Sequence, residues 1–307
     1  MSILVVGTVA YDTVETPFGR ADRVLGGSAT YASLAARVLG ADVDLSAVVG
    51  GDFDEAHVDA LRERGVGLDG LVRDPDGETF FWAGRYGMNL ASRETLATEL
   101  NVLATFEPDL PAALRAPDIV CLGNLDPAIQ GAVIDQTAAA APLVVADTMN
   151  FWIENAPDAL AETVARVDVL LVNEEEARQL AGTPSLVKAA RDIRAMGPDT
   201  VVIKKGEHGA LLFCDGDAFA APAFLLEDVA DPTGAGDTFL GGFAGHLARA
   251  GSRSPEALRQ AVVVGSVLAS FVVQSFGPDA LLATTPADLD RRLGAFQRLG
   301  AVPAVVV

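Results

Sequence analysis

One run of nine residues constrains this chain more than any other. Asp231-Pro232-Thr233-Gly234-Ala235-Gly236-Asp237-Thr238-Phe239 places two glycines and a carboxylate where a helix begins. Ahead of it Ala218-Phe219-Ala220 reads as a strand, and after it Phe239, Leu240, Phe243 and Leu247 recur at helical spacing. The first turn of a helix leaves N–H groups unpaired and carries about half a positive charge, so it attracts anions. Glycine lets a phosphoryl oxygen approach that backbone. The helix end is expected to keep the Asp237 carboxyl ionised, and an ionised carboxylate accepts a proton from a hydroxyl. Asp237 is therefore the candidate general base. Gly241, Gly242 and Gly245 follow inside the helix. Each costs about 1 kcal/mol relative to alanine, which calls for close packing against the sheet in return.

A glycine-rich strand-to-helix turn also precedes many ordinary buried helices, and a lone Gly-x-Gly says little. The full run, however, resembles the signature of the PfkB, or ribokinase-like, family of sugar and nucleoside kinases. Its usual form is Asp-Thr-x-Gly-Ala-Gly-Asp, and Pro232 here replaces the commoner Thr. The resemblance implies that Asp237 is the catalytic base and that Gly234, Ala235 and Gly236 form the anion hole. It also implies that Asp231 and Thr233 contribute to a monovalent-cation site, so potassium joins ATP and Mg²⁺ as an expected ligand.

Composition narrows the partners. A formal charge of −20 and a pI near 4.4 exclude nucleic acid and anionic membranes, which require clustered positive charge. The most apolar stretch, Ala261 to Val273, is interrupted by Gly265, Ser266 and Ser270 and is too short to span a bilayer. The N-terminal Met1-Ser2-Ile3-Leu4-Val5-Val6 lacks a basic region and a cleavage site, so it reads as a strand and the expected location is the cytoplasm. Cys121 and Cys214 lie in apolar, strand-like stretches and read as buried free thiols. Lysine is scarce: Lys188, Lys204 and Lys205 are the three in the chain, and two of them stand together after the strand Thr200–Ile203. An anion site there is the expectation.

Short apolar runs alternate with helical patterns, the pattern of a parallel sheet covered by helices. The strands read as Ile3–Val6, Val43–Val49, Ile119–Leu122, Leu143–Ala146, Val169–Val172, Val201–Ile203 and Leu211–Cys214. Tyr31, Leu34, Ala35 and Val38 mark a helix with Ser28 as its N-cap and Gly40 as its stop. The reading is one doubly wound, mainly parallel α/β domain over residues 1–307. Two segments, Val9–Leu25 and Leu68–Met88, break the alternation; the resemblance implies that they pair into a small β-sheet lid. Gly65-Val66-Gly67-Leu68-Asp69-Gly70 matches a dinucleotide fingerprint in letters, but it follows a helical segment rather than a strand, so that reading is rejected.

The remaining site candidates follow from the resemblance. Asn173 and Glu176 match an Asn-x-x-Glu element that acts on phosphates and on Mg²⁺, largely through coordinated water. Lys204, Gly206 and Gly209 match the nucleotide-binding loop. Asp12, Gly26 and Gly27 match the acceptor signature, in which Tyr31 stands where the family has Asn. Arg85, Asn89, Asn150 and Trp152 lie in segments that could line the acceptor pocket. The expected activity is ATP-dependent phosphorylation of a hydroxyl on a small sugar or polyol. A nucleoside acceptor, whose base could stack on Tyr31, is the alternative, and a non-catalytic ligand sensor is the reading from another class. A small sheet cannot bury both of its faces alone, so the lid is also the expected contact for a homodimer.

Overall fold

A strand that is apolar at every position requires cover on both faces, because successive side chains point opposite ways. Ile3 and Val5 enter one core layer and Leu4 and Val6 the other. The same division separates Ile119 and Cys121 from Val120 and Leu122, and Leu171 from Leu170 and Val172.

The structure is a computed structural model and describes residues 1–90 and 92–301. In chain order the strands are β1 (Ser2–Val6), β2 (Ala10–Thr16), β3 (Gly19–Gly26), β4 (Asp42–Gly50), β5 (Gly67–Asp74), β6 (Phe81–Tyr86), β7 (Arg93–Glu99), β8 (Ile119–Leu122), β9 (Leu143–Asp147), β10 (Val169–Asn173), β11 (Thr200–Lys204), β12 (Ala210–Cys214) and β13 (Asp217–Ala221). The helices are α1 (Ser28–Val38), α2 (Glu55–Glu63), α3 (Pro127–Thr137), α4 (Asn150–Asn155), α5 (Pro157–Val164), α6 (Glu174–Ala181), α7 (Leu186–Arg194), α8 (Ala235–Ala250), α9 (Pro255–Val272), α10 (Asp279–Ala283) and α11 (Pro286–Leu299).

Among the described residues nine strands form the main sheet, in the order β13-β12-β11-β10-β9-β8-β1-β4-β5. The pairs from β11 across to β5 are parallel, and β12 and β13 add an antiparallel edge. The order reverses at β1, which lies between β8 and β4, so the sheet is doubly wound. Buried residues of α1, α2, α8 and α9 cover one face; those of α3, α5, α6 and α7 cover the other. α9 is long and apolar enough to cross a membrane, but it packs between α8 and the sheet edge at β12 and β13, so its apolarity serves the core.

The expected sequence elements need three corrections. Leu68–Asp74 does not belong to the small sheet: it lies in β5, paired in parallel with β4, with Leu68 and Leu71 against the core. The small sheet is instead β3-β2-β6-β7, and β7 lay hidden in Arg93–Glu99 because that strand is almost wholly solvent-facing and carries no apolar alternation. The α8 glycines pack against helices rather than the sheet. A Cβ on Gly241 would lie 2.0 Å from the Ala32 carbonyl oxygen of α1, and one on Gly242 would lie 2.9 Å from Leu268 of α9. Finally, Ser28 does not cap α1. Gly27 holds the cap position, while Ser28 exchanges hydrogen bonds with Thr8, tying α1 to the exit of β1.

Candidate active site

Parallel strands that end level deliver their terminal residues to one edge. Asp147 ends β9, Asn173 ends β10 and Lys204 ends β11, with Asn173 in register with Lys204. The N-terminus of α8 closes over this edge. Gly234 caps the helix at φ +74°, a left-handed conformation that glycine adopts without strain. A Cβ at Gly236 would lie 3.1 Å from Lys204 Nζ, so the ammonium stands against the backbone of the first turn of α8. Lys204 Nζ also donates to Asp147 Oδ2, and both side chains are largely buried. The sequence reading missed Asp147, although the rule applied to Asn173, that ligands bind beyond the carboxyl ends of strands, points to it equally.

Carboxylates crowd this edge. Burial first and repulsion from Asp147 second push the half-buried Asp237 up to about 6, against the pull of Lys204, its own amide and Arg93. The helix end therefore does not hold Asp237 low, as the sequence suggested, because desolvation outweighs it; at neutral pH the group is still mostly ionised. Burial, then Asp147, pushes Glu176 up to about 7 against Lys204. Burial alone would lower the Lys204 ammonium, but Asp147 and Glu176 outweigh it and the net shift is upward.

Asn173 and Glu176 form a capping box at the start of α6. Asn173 Oδ1 accepts from the Glu176 amide at 2.8 Å, and Glu176 Oε2 accepts from the Asn173 amide at 2.7 Å. Glu176 is buried and fixed in orientation, not a solvated first-turn acid. Gly206 and Gly209 shape the turn after β11 at φ +55° and +87°. A Cβ on Gly209 would lie 2.0 Å from the Ala221 carbonyl oxygen.

Across the cleft, Asp12 is 5% exposed, and burial, then Asp231 and Asp237, pushes it up to about 7. A Cβ on Gly26 would lie 2.0 Å from Asp12 Oδ2, so only glycine leaves room for this carboxyl. Asp231 is 1% exposed; its Oδ1 accepts from the Thr233 amide at 2.8 Å and its Oδ2 has no hydrogen-bond partner.

Five acceptor candidates are held by contacts within the protein. Tyr31 is 1% exposed, and a Cβ on Gly234 would lie 2.5 Å from its ring. It packs against Gly234 at the head of α8 and offers no open stacking surface. Arg85 faces the far side of the small sheet, where it pairs with Glu15 at 3.0 Å and Glu94 at 3.7 Å. Period-two alternation turns its neighbour Tyr86 inward instead, and Tyr86 accepts a hydrogen bond from Thr233 Oγ1 at 3.2 Å. Asn89 Oδ1 accepts from the Ser92 amide and hydroxyl in the β6–β7 turn. Asn150 donates to Gln179 at 2.7 Å, joining α4 to α6, and Trp152 Nε1 donates to Asn124 at 2.9 Å.

A glycine-capped helix start, a buried carboxyl and a lysine on a sheet edge under a small sheet suit phosphoryl transfer. A profile described as pfkB family carbohydrate kinase matches residues 2–285, and the chain belongs to that family. It is 28% identical over 287 residues to the cytidine kinase of Thermococcus kodakarensis, covering 90% of this chain and 98% of that protein. It is 29% identical over 251 residues to the 1-phosphofructokinase of Haloferax volcanii, covering 78% of each. Burkholderia thailandensis nucleoside kinase in complex with inosine superposes with a TM-score of 0.78 at 20% identity, over 97% of this chain and 98% of that one. The fold is ribokinase-like, and these relatives are phosphotransferases that act on hydroxyl groups.

Proposed function

We propose that this protein transfers the γ-phosphoryl group of ATP to a hydroxyl of a small sugar or polyol. The juxtaposition that carries the reading is Asp237 at the mouth of the Gly234–Gly236 anion hole, with Lys204 against Gly236 and Asp12 across the cleft. Asp12 accepts hydrogen bonds from acceptor hydroxyls, Asp237 takes the proton of the reacting one, and the α8 amides and Lys204 stabilise the phosphoryl charge. A screen of ADP formation over pentoses, hexoses, polyols and nucleosides tests it. Acceptor-dependent ADP from a sugar or polyol is expected, and none from any of the four classes contradicts the reading.

A nucleoside acceptor is the second reading. It is favoured by the cytidine kinase likeness across 90% of the chain and by half-buried Trp82, whose register with Asp12 puts it on the site-facing side of the small sheet. Tyr31 lends it no support. A turnover preference for nucleosides over free sugars in the same screen selects it.

Hard oxygen donors that repel one another, Glu176 and Asp147, fit Mg²⁺. Among the described residues no cluster of three or more ligating side chains holds an ion unaided, which fits an ion bound mainly through phosphate and water. When bound, Mg²⁺ neutralises phosphate charge. Glu176→Gln keeps the capping box but loses the charge, so the Mg²⁺ concentration for half-maximal rate is expected to rise and the maximal rate to fall. An unchanged Mg²⁺ titration would leave Glu176 as a cap alone. The unpartnered Asp231 Oδ2 fits a monovalent cation such as K⁺, with Thr233 beside it.

The small sheet serves as a lid. Trp82→Ala is expected to lower acceptor kcat/KM by roughly tenfold or more through misplacement of the acceptor, while ATP affinity changes less. Unchanged turnover and solution mass would remove Trp82 from closure. Exposed Phe18 and Leu96 on the lid, 60% and 46% accessible, support a homodimer formed through it. Use of ATP as donor supports a cytoplasmic location.

A further inference from the structure

The lid carries a cation that the reading above leaves unused. Arg93 begins β7 directly opposite Tyr86, so the two side chains share one face of the lid. Tyr86 is buried and touches Thr233 of the catalytic loop, four positions before Asp237, which fixes that face over the anion hole. The Arg93 guanidinium carbon stands 5.4 Å from the centroid of the Trp82 ring on the same face, a stack that aims the head group without consuming its charge.

Charge at the site gives Arg93 a task. Most arginines here sit in ion pairs, including Arg85 on the opposite lid face; among the described residues Arg93 forms no salt bridge and remains exposed. Below it lie Asp12, Asp147, Glu176, Asp231 and Asp237, and the Lys204 ammonium shares its charge between Asp147 and the helix start at Gly236. Arg93 is near enough to lower both Asp237 and Glu176, the carboxylates at the phosphate end of the cleft. The lid thus adds to this cleft a side-chain cation that no carboxylate among the described residues pairs with.

We propose that Arg93 is a catalytic residue whose guanidinium binds the γ-phosphoryl group of the nucleoside triphosphate during transfer. The assignment rests on the phosphotransferase reading above. In the step, the acceptor oxygen forms the new P–O bond and the bond from γ-phosphorus to the β–γ bridging oxygen breaks. Its electron pair leaves on ADP, and Asp237 takes the hydroxyl proton. A planar fork of donors spans two equatorial oxygens of the group in flight, where charge must be held without reorganisation.

The test compares Mg²⁺-ADP with a non-hydrolysable Mg²⁺-ATP analogue by calorimetry on the full-length protein, Arg93→Met and Arg93→Lys. Met preserves contact with Trp82, and an exposed position tolerates both changes. ADP affinity is expected to stay within about twofold, while analogue affinity falls roughly tenfold in Arg93→Met and partly recovers in Arg93→Lys. Turnover with the acceptor from the screen is expected to fall on the order of a hundredfold and to be partly restored by free guanidinium. Equal loss of both nucleotides, unchanged turnover, or a rise in acceptor KM with nucleotide discrimination intact would overturn the assignment. Failure of the wild-type protein to bind either nucleotide is the separate outcome that contradicts the phosphotransferase reading itself.

Discussion

Asp237→Asn is expected to lower turnover by about 10²- to 10⁴-fold, with ATP affinity kept within several-fold. The amide preserves shape and position at the head of α8 but cannot take the hydroxyl proton. The pH profile carries the same information. The base must be ionised, so wild-type kcat/KM should be lost as pH falls through about 6, the value to which burial and Asp147 push this carboxyl. That acid limb should vanish in the variant. Stability should move the opposite way: a carboxyl whose folded-state pKa is raised penalises the folded state once pH exceeds its ordinary value, and the penalty is complete above about 6. The Asn variant without ligand is therefore expected to melt higher than wild type at pH 8 and to lose that advantage in acid. Near-normal turnover in a correctly folded variant would remove Asp237 as the base.

Lys204→Met should be the most damaging change that leaves the chemistry's base intact. It strands Asp147, whose side chain is 6% accessible, as an uncompensated charge, and breaking such a pair costs about 3–5 kcal/mol. For a chain of this length that corresponds to a melting-temperature loss on the order of 5 °C. Lys204 also pulls Asp237 and Glu176 downward, so without it the acid limb of the rate should move up in pH. Lys204→Met combined with Asp147→Asn should recover most of the stability, because neither partner is left charged and buried, but little activity. A single variant as stable as wild type would mean that the pair contributes nothing to the fold.

The parts of this molecule written in one stretch of chain were readable in advance. Seven apolar runs became strands of the main sheet, most of them because burial on both faces leaves a short, nearly unbroken apolar run. The Gly234–Asp237 helix start was readable because a glycine cap and a following apolar stripe are local features. What escaped depended on pairing. β7 is a strand only because β6 lies beside it, and its exposed Arg-Glu-Thr-Leu-Ala-Thr-Glu has no pattern of its own. Arg85 and Tyr86 are adjacent and strand alternation must send one inward, but which one depends on the face that meets Thr233. Tyr31 presents the same limit: nothing in its helix shows that Gly234, about two hundred positions later, comes to rest on its ring. Asn173 and Glu176 went the other way. Their spacing is that of a reciprocal cap, and that local role coexists with a buried carboxyl beside Asp147 and Lys204.

The central claim is that this site moves a phosphoryl group from ATP onto an acceptor hydroxyl with Asp237 as the base. Its most direct test is to follow a label on the γ-phosphorus of ATP, in the presence of the acceptor that the screen selects, for wild type and Asp237→Asn in parallel. The account predicts label in an acid-stable phosphate ester of the acceptor for wild type, in amounts equal to the ADP formed, and almost none for the variant despite retained ATP binding. Label released as inorganic phosphate whether or not acceptor is present, or transferred by the variant at the wild-type rate, would contradict it.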